Sequence, residues 1–356
     1  MPITTQQIIA ALSQVEDPDL KKDLVTLNMV KDIVIDKKNI HFTVVLTTPS
    51  CPLKDHIKNA CITAIHHLVD NEAIVEVNMT AQVTSHKKSN ELSNIKNIIA
   101  VASGKGGVGK STVSTNLAIA LSQAGSKVGL VDADIYGPSI PLMFGLENEK
   151  PFVELKDGKN IMLPHKKFGL ELMSVGFLLD SSTAVVWRGP MVSKAFSQLI
   201  GDTQWGELDY LIVDLPPGTG DIHITIAQQW SLTGVVIVTT PQQVAVSDAR
   251  KATAMFLSPQ IHIPILGIVE NMSYFTPPEL PDKQYYIFGK GGGQSLATEF
   301  RVPLLVQIPI NQTIREGSDR GTPISLEKNT PISSVFERLA SSVAQQISIH
   351  NAKNSN

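Results

Sequence analysis

The chain is poor in cysteine. Its 356 residues include two, Cys51 and Cys61, too few for a disulfide framework. A reducing cytoplasm is therefore the expected compartment. A charge surplus is missing as well: 30 basic residues face 33 acidic ones, for a net charge of −3. That balance gives no footing to a nucleic-acid or anionic-membrane partner. No apolar run reaches the length of a membrane span. Met1 to Gln7 has neither the basic start nor the apolar core of a secretory leader. None of the nine histidines stands in a metal-ligand spacing such as His-Glu-x-x-His. His66 and His67 sit on a helix flank, where solvated rings are expected. What is plentiful is apolar sequence, 42% of the chain, enough for a sizeable core in one large domain or two.

The most informative stretch is Gly104-Lys105-Gly106-Gly107-Val108-Gly109-Lys110-Ser111. An apolar run, Asn97 to Ser103, precedes it and reads as a buried strand. Thr112 to Leu121 follows and reads as a helix ending at Gly125. Strand, glycine loop and helix is the context a phosphate-binding loop needs. Gly106, Gly107 and Gly109 lack Cβ, so the backbone can turn tightly and aim its N–H groups inward. The helix start adds its positive end. Lys110 can then reach the β- and γ-phosphates of ATP, and the Ser111 hydroxyl can ligate Mg²⁺. Gly104 to Thr112 is the expected nucleotide contact.

Two further strand ends carry acids. Lys127 to Asp134 is an apolar run ending in Asp132 and Asp134, at the sheet edge where ligands bind in such folds. Asp209 to Asp221 is a second, with Asp214 as the Walker B acid that holds Mg²⁺ and a Pro-Pro-Gly-Thr-Gly turn suited to sensing the γ-phosphate. Glu171 to Val175, Gly234 to Thr240, Ile265 to Glu270 and Leu304 to Ile308 read as further strands. Asn271, just past a strand end, is placed to hydrogen-bond an adenine edge. Arg188, in Trp187-Arg188-Gly189-Pro190-Met191, is a surface charge or a phosphate or dimer contact; spacing does not decide. A last helix from about Pro331 carries Val335, Phe336, Leu339 and Val343, with His350 to Asn356 expected to fray. Alternating strands and helices with acids at strand ends give a doubly wound, mostly parallel α/β domain over 95–356.

Ahead of it lies a small α+β domain, 1–83, near the lower size limit for independent folding. Thr4 or Thr5 can cap a helix carrying Ile8, Ile9, Leu12 and Val15, stopped at Asp17-Pro18. Strands at Met29 to Ile35, Ile40 to Leu46 and Ala73 to Val83 enclose a helix with Leu53, Ile57, Cys61, Ile65 and Leu68. Asp17-Pro18-Asp19 is a helix stop or a ligand-facing turn. Cys51, in a Pro-flanked turn at a helix start, is a reactive thiol favoured by the helix dipole or a buried small hydrophobe. Cys61 falls on the apolar stripe. The polar segment 84–94 reads as a linker.

The extra lysine at position 105 makes the loop resemble that of the deviant Walker A ATPases, the superfamily of MinD, ParA, nitrogenase iron protein and the Mrp/ApbC iron–sulfur carriers. The segments Val131 to Pro141, Trp187 to Met191, Asp214 to Asp221, Thr239 to Gln242 and Glu270 to Ser273 look like the Mrp/ApbC branch. The N-terminal unit is similar to the iron–sulfur assembly domain often fused ahead of it, through Asp17-Pro18-Asp19 and Thr47 to Pro52. The resemblance implies an ATPase that loads or delivers iron–sulfur clusters to apoprotein clients. It also implies an ATP-dependent homodimer in which Lys105 crosses to the partner's nucleotide. Lys105, Lys110 and Asp134 are the expected catalytic residues, with Asp134 positioning water and Ser111, Asp132 and Asp214 around Mg²⁺.

One departure from that pattern concerns thiols. Mrp-type carriers have Cys-x-x-Cys after the Asn-Met-Ser-Tyr-Phe segment, but Tyr274 to Lys283 contains no cysteine. A 4Fe–4S cluster takes four thiolates or substitutes. With Cys61 in the core, Cys51 is the remaining contact, and any cluster would be labile and shared between protomers or with a client. The competing expectation is a MinD/ParA-like nucleotide-switched dimeric scaffold that carries no cluster. Its membrane version lacks a basic amphipathic anchor in the C-terminal helix.

Overall fold

The computed structural model describes residues 3–86, 92–156, 158–178 and 189–354. Trp187 and Arg188, and residues 87–91 of the expected linker, lie outside that set. The chain divides into two compact units: Met1–Thr84 with Ala344–Asn356, and Ser85–Val343.

In the first unit, α1 (Thr5–Leu12) opens with a reciprocal capping box. Thr4 accepts from the Gln7 backbone while the Gln7 side chain accepts from Thr4, satisfying two of the donors a helix start leaves open. Ile8, Ala11 and Leu12 are buried. The helix ends five residues before the expected stop. Two-residue strands β1 (Glu16–Asp17) and β2 (Lys22–Asp23) pair antiparallel. Asp17 Oδ1 accepts from the N–H groups of Asp19 and Leu20, both at 2.9 Å. Asp17 therefore ties its own turn together rather than terminating the helix.

β3 (Val30–Asp36) runs antiparallel to β4 (Asn39–Leu46). β4 pairs parallel with β5 (Ile74–Ala81), and α2 (Lys54–Leu68) makes the crossover. Ile40, Phe42, Val44 and Leu46 alternate inward from β4 onto Ile57, Cys61 and Ile65 of α2. That period of two is what a one-face-buried strand requires.

The second unit is built on eight strands in the order β10-β11-β7-β12-β6-β13-β14-β15. These are β6 (Ile95–Ala102), β7 (Val128–Asp132), β10 (His165–Lys167), β11 (Leu170–Ser174), β12 (Leu208–Asp214), β13 (Gly234–Thr239), β14 (Ile265–Glu270) and β15 (Leu304–Gln307). Only the β10–β11 pairing is antiparallel. A separate hairpin, β8 (Phe152–Lys156) with β9 (Lys159–Leu163), precedes the edge strand. The flanking helices are α3 (Lys110–Gln123), α4 (Ile140–Met143), α5 (Gly189–Gly201), α6 (Asp221–Gln229), α7 (Gln243–Leu257), α8 (Gly292–Phe300) and α9 (Gln312–Asp319). The central strands are apolar on both faces and wholly buried, as parallel strands covered by helices must be.

The register aligns the strand ends. Asp214 stands opposite Val101 on one side and Asp132 on the other, and Ser174 stands opposite Asp132. Three polar side chains thus arrive at one level on the carboxyl edge of the sheet, the edge that binds ligands in open α/β folds.

The last helix, α10 (Pro331–Asn354), extends beyond the expected start of fraying at His350. Asn351 is buried and donates to the Thr84 carbonyl at 3.2 Å. Ala344, Ile347 and Ser348 are buried as well. Residues from Ala344 onward group with the first unit rather than with the domain expected over 95–356. Among the described residues no helix is long and apolar enough to cross a membrane.

Asn116 anchors the helix that leaves the phosphate-binding loop. It is fully buried, and its Oδ1 accepts from the Ser325 N–H at 2.9 Å. Asn116→Leu leaves that N–H without a partner. Denaturant unfolding should then show a loss of about 1–3 kcal/mol, and an unchanged midpoint would count against the anchor.

Candidate nucleotide-binding site

The loop between β6 and α3 is shaped by contacts that only glycine permits. At Gly104, a Cβ would lie 2.1 Å from the Asp248 backbone, so α7 passes directly against the loop. Gly109, at φ +83°, is left-handed, and a Cβ there would meet the Asn271 amide nitrogen at 2.2 Å. Gly107 is also left-handed, at φ +80°. Gly106 has neither restriction; its nearest neighbour, Pro217 Cγ, would be 4.0 Å from a Cβ.

Asn271 has a more definite place than its expected approach to adenine. Its Nδ2 donates to the Val108 carbonyl at 2.8 Å, and the residue is buried. It ties the end of β14 to the crest of the loop. Val108 itself is buried, which pins the loop from the inside.

Helix α3 begins at Lys110, two residues earlier than its apolar pattern suggests, with Gly109 as its N-cap. This puts Lys110, Ser111 and Ser114 in the first turn and a half, above the end of β12. Asp214, with no exposed surface, gathers all three. Lys110 Nζ is 2.8 Å from its Oδ2, and the Ser111 hydroxyl donates to the same oxygen at 2.6 Å. Ser114 Oγ donates to Oδ1 at 2.5 Å. Lys110, itself 6% exposed, also stands 3.7 Å from Asp134 Oδ2.

Asp132 is expected around Mg²⁺, and in this structure its oxygens hold the loop that follows it and a neighbouring strand end. They accept from the N–H groups of Asp134 (3.1 Å) and Ile140 (3.0 Å) and from the Ser174 hydroxyl (3.1 Å). It braces the 132–140 loop, and through it the position of Asp134. Burial pushes the Asp132 carboxyl up, and the nearby Asp214 carboxylate pushes the same way; the Ile140 N–H, Lys110 and the Asp134 N–H oppose. Asp134, partly exposed, is also raised, first by burial, with Lys110 opposing.

Lys105 is exposed. Its ammonium has no ion pair among the described residues, while its carbonyl accepts from Ser103 Oγ. Thr112 is half-buried, and its carbonyl accepts from Asn116. Glu270, at the end of β14, is a junction. Buried, it accepts from Gly293 N at the start of α8 and from Gln307 of β15. Ser114 was legible in principle, because i+3 spacing from Ser111 places both hydroxyls on one helix face. Ser174 and Glu270 carried no local signal.

In the first unit, Cys51 is partly exposed and Cys61 is buried. The Cys51 thiol is pushed up, first by burial and then by the carboxylates of Asp19 and Asp17, with the Leu53 N–H opposing. α2 does not begin until Lys54, so the sulfur stands before the helix, and burial opposes the thiolate first. Cys61 is pushed up to about 12 by burial.

The Asp132 geometry has a consequence for stability. A carboxyl raised in the fold above its unfolded value stabilises the fold in its protonated form and loses that contribution as pH climbs through the raised value. Asp132→Asn removes the buried charge while keeping one acceptor. Its melting temperature relative to wild type should improve between pH 6 and pH 8. A difference independent of pH would show that Asp132 ionises as an ordinary carboxyl.

Comparison with known proteins places this geometry in a lineage. A family model described as NUBPL iron-transfer P-loop NTPase matches residues 94–344, and one described as iron-sulfur cluster assembly protein matches residues 5–79. The chain is 45% identical to the iron-sulfur cluster carrier protein of Synechocystis, over 98% of this chain and 99% of that one. It is 41% identical to the carrier protein of Aquifex aeolicus, over 97% and 99%. Among solved structures it is similar to a nucleotide-binding protein of Archaeoglobus fulgidus in complex with ADP. That match has 40% identity and a TM-score of 0.58, over 68% of this chain and 92% of that one. The cell division ATPase MinD of Pyrococcus furiosus follows at 25% identity and a TM-score of 0.51, over 69% and 98%. With a P-loop, a Walker B acid and a family match over most of its length, the chain belongs to the NUBPL-type, ParA-related iron-transfer P-loop NTPases.

Proposed function

We propose that the protein is an ATP-hydrolysing iron–sulfur cluster carrier that loads clusters onto apoprotein clients. The observation that carries the ATP half is the gathering of Lys110, Ser111 and Ser114 around one buried carboxylate beneath a left-handed glycine loop. The carrier half rests on relatives of that name, matched over nearly the whole of both chains.

The donor set fits Mg·ATP. Hydroxyl and carboxylate oxygens suit a hard divalent cation, and Ser111 and Asp214 would hold it, where it would neutralise phosphate charge. Lys110 binds the terminal phosphates and takes up developing negative charge. Asp134, held near Lys110 by the Asp132 brace, orients the attacking water. Asn271 keeps the loop crest in place. Turnover is slow, because one lysine per site supplies most of the cationic charge until a second chain contributes Lys105. A cation brought in from a partner acts as an arginine finger does.

The cluster is cargo, and Cys51 is its contact in this chain. Iron–sulfur chemistry prefers thiolate, and Cys61 is closed off in the core. One thiolate per chain cannot fill four iron sites, so the remaining ligands come from a second protomer, a client or a small thiol. A cluster-free, MinD/ParA-like scaffold is the second reading, favoured by the absence of cysteine from Tyr274 to Lys283.

Lys110→Ala should lower the ATPase rate by about 10²- to 10³-fold, measured as phosphate release with Mg²⁺; full turnover would sink the assignment. Lys105→Ala should leave the mass of the protein in sedimentation unchanged on adding a non-hydrolysable ATP analogue, whereas wild type should shift to a dimer. A wild type that stays at monomer mass would remove the partner role of Lys105. For the cargo, anaerobic reconstitution with ferrous iron and sulfide should give charge-transfer absorption in wild type and none in Cys51→Ser, with ATP hydrolysis near normal in both. Because the Cys51 thiol is raised, a smaller fraction is thiolate at neutral pH, and metal capture must displace a proton. Cluster uptake should therefore rise between pH 7 and pH 9. Equal cluster content in both proteins would refute Cys51, and no cluster in either would favour the scaffold.

A further inference from the structure

His223 has no part in the site as described, yet its ring is built into the turn that follows Asp214. It lies in the first turn of α6, 2% exposed. Nε2 is 3.0 Å from the Pro216 carbonyl oxygen, and Nδ1 is 3.2 Å from the Gly220 carbonyl oxygen. Both partners can only accept. A neutral imidazole has a single N–H, so it can serve one of them. The shorter contact assigns that N–H to Nε2, an inference from the hydrogen-bond pattern. The Nδ1 lone pair then faces a carbonyl, acceptor against acceptor. A protonated ring would donate at both ends.

The bridged segment, Pro216 to Gly220, rests on the phosphate-binding loop. Gly218 N donates to the Ser103 carbonyl at 2.8 Å, and Gly218 takes the left-handed φ of +103°. Pro217 Cγ is the nearest atom to the Cβ position of Gly106. The placement of the turn over the loop is therefore tied to the ring. Burial pushes His223 below its ordinary value, with the two carbonyls pulling it up. The charged groups that face it are Lys110 of α3, which lowers it, and Asp134 beyond β7, which raises it. From α7, Phe256 packs edge-on, with ring centroids 6.1 Å apart at 70°.

We propose that His223 is a positioning residue for the phosphate-sensing turn. Its neutral ring fastens the Pro216 end to the start of α6, where the Gly220 carbonyl already accepts the His223 backbone N–H at 3.1 Å, whereas a protonated ring adds a second donor at Gly220 and stiffens the turn at both ends. The proposal rests on the ATP-hydrolysis reading above, and His223 acts through the turn without touching the phosphates.

Full-length His223→Leu and His223→Gln test it together. Glutamine can donate to the Pro216 carbonyl but does not titrate. His223→Leu should lower kcat about tenfold, the scale of one lost hydrogen bond, with KM for ATP near wild type. His223→Gln should recover most of that loss. Wild-type kcat should fall on the acid side of about pH 6.5, the ordinary histidine range, and that step should be missing in His223→Gln. Equilibrium binding gives a separate reading. His223→Leu should lose much of the preference for a non-hydrolysable ATP analogue over ADP while ADP affinity stays level. If wild type does not hydrolyse ATP, the hydrolysis reading fails while this preference still tests the turn. Wild-type kcat and preference in His223→Leu, a glutamine variant no better than leucine, or an acid step unchanged in His223→Gln would each overturn the proposal.

Discussion

A single buried carboxylate organises the larger unit. Asp214 ends a strand with no exposed surface and is opposed by an ammonium at 2.8 Å and two serine hydroxyls. Burying a carboxylate without such partners costs several kcal/mol, so the strand end, the loop and the first turn of α3 must arrive together or not at all. The requirement runs backward into the sequence. Lys110 and Ser111 have to lead a largely buried helix, and the loop before them must turn in the left-handed region at Gly107 and Gly109. It also runs sideways, because the register that levels Asp214 with Asp132 puts a second buried acid beside the first. Among the described residues, Lys110 supplies the ammonium paired with Asp214 and Asp134. Asp132 answers by hydrogen-bonding two backbone N–H groups and Ser174, and by a raised carboxyl.

In the proposed reaction that balance is what changes. A terminal phosphate competes with Asp214 for Lys110 and Ser111, since both contacts are short-range and charge-assisted. Asp214 released from the lysine is free to meet a cation. Asp134, partly exposed at the rim and 3.7 Å from the same ammonium, also loses a neighbouring cation when Lys110 turns to phosphate. The proposed division between the two neighbouring acids rests on their surroundings: Asp132 accepts from two backbone N–H groups and Ser174, while Asp134 is partly exposed.

Local chemistry made much of this legible. A glycine loop between a strand and a helix, and an acid after an apolar run, are signals carried by adjacent residues, and they led to Lys110, Ser111 and Asp214. The alternation of Ile40, Phe42, Val44 and Leu46 led to β4 for the same reason. What stayed hidden depends on contacts across the chain. Asn271 was read as an adenine contact because its position past a strand end was visible, but its hydrogen bond to Val108 spans 163 residues. Glu270 joins α8 to β15, and Asn351 reaches Thr84; no window of sequence contains either pair. Cys51 shows the limit in another way. Its distance from a helix start could be counted, whereas the approach of Asp17 and Asp19 to it depends on how the turn at Asp17-Pro18-Asp19 folds back.

That environment bears on how a carrier could work with so few thiols. A thiolate held permanently deprotonated binds metal tightly and releases it slowly, a property of storage sites rather than transfer sites. Cys51 is half-sheltered and raised by burial and two carboxylates, so its free state is the protonated thiol. Losing a metal ligand to a client is then assisted by reprotonation, and gaining one is opposed by it. Two protomers contribute two such sulfurs at most, since Cys61 is closed off. A cluster held this way is short of ligands by at least half and must lean on its donor or its acceptor for the rest. Cargo with that few bonds to the carrier is cheap to pass on. In the proposed reading the nucleotide site would bring two Cys51 residues into one assembly and let them part, more than grip the cluster.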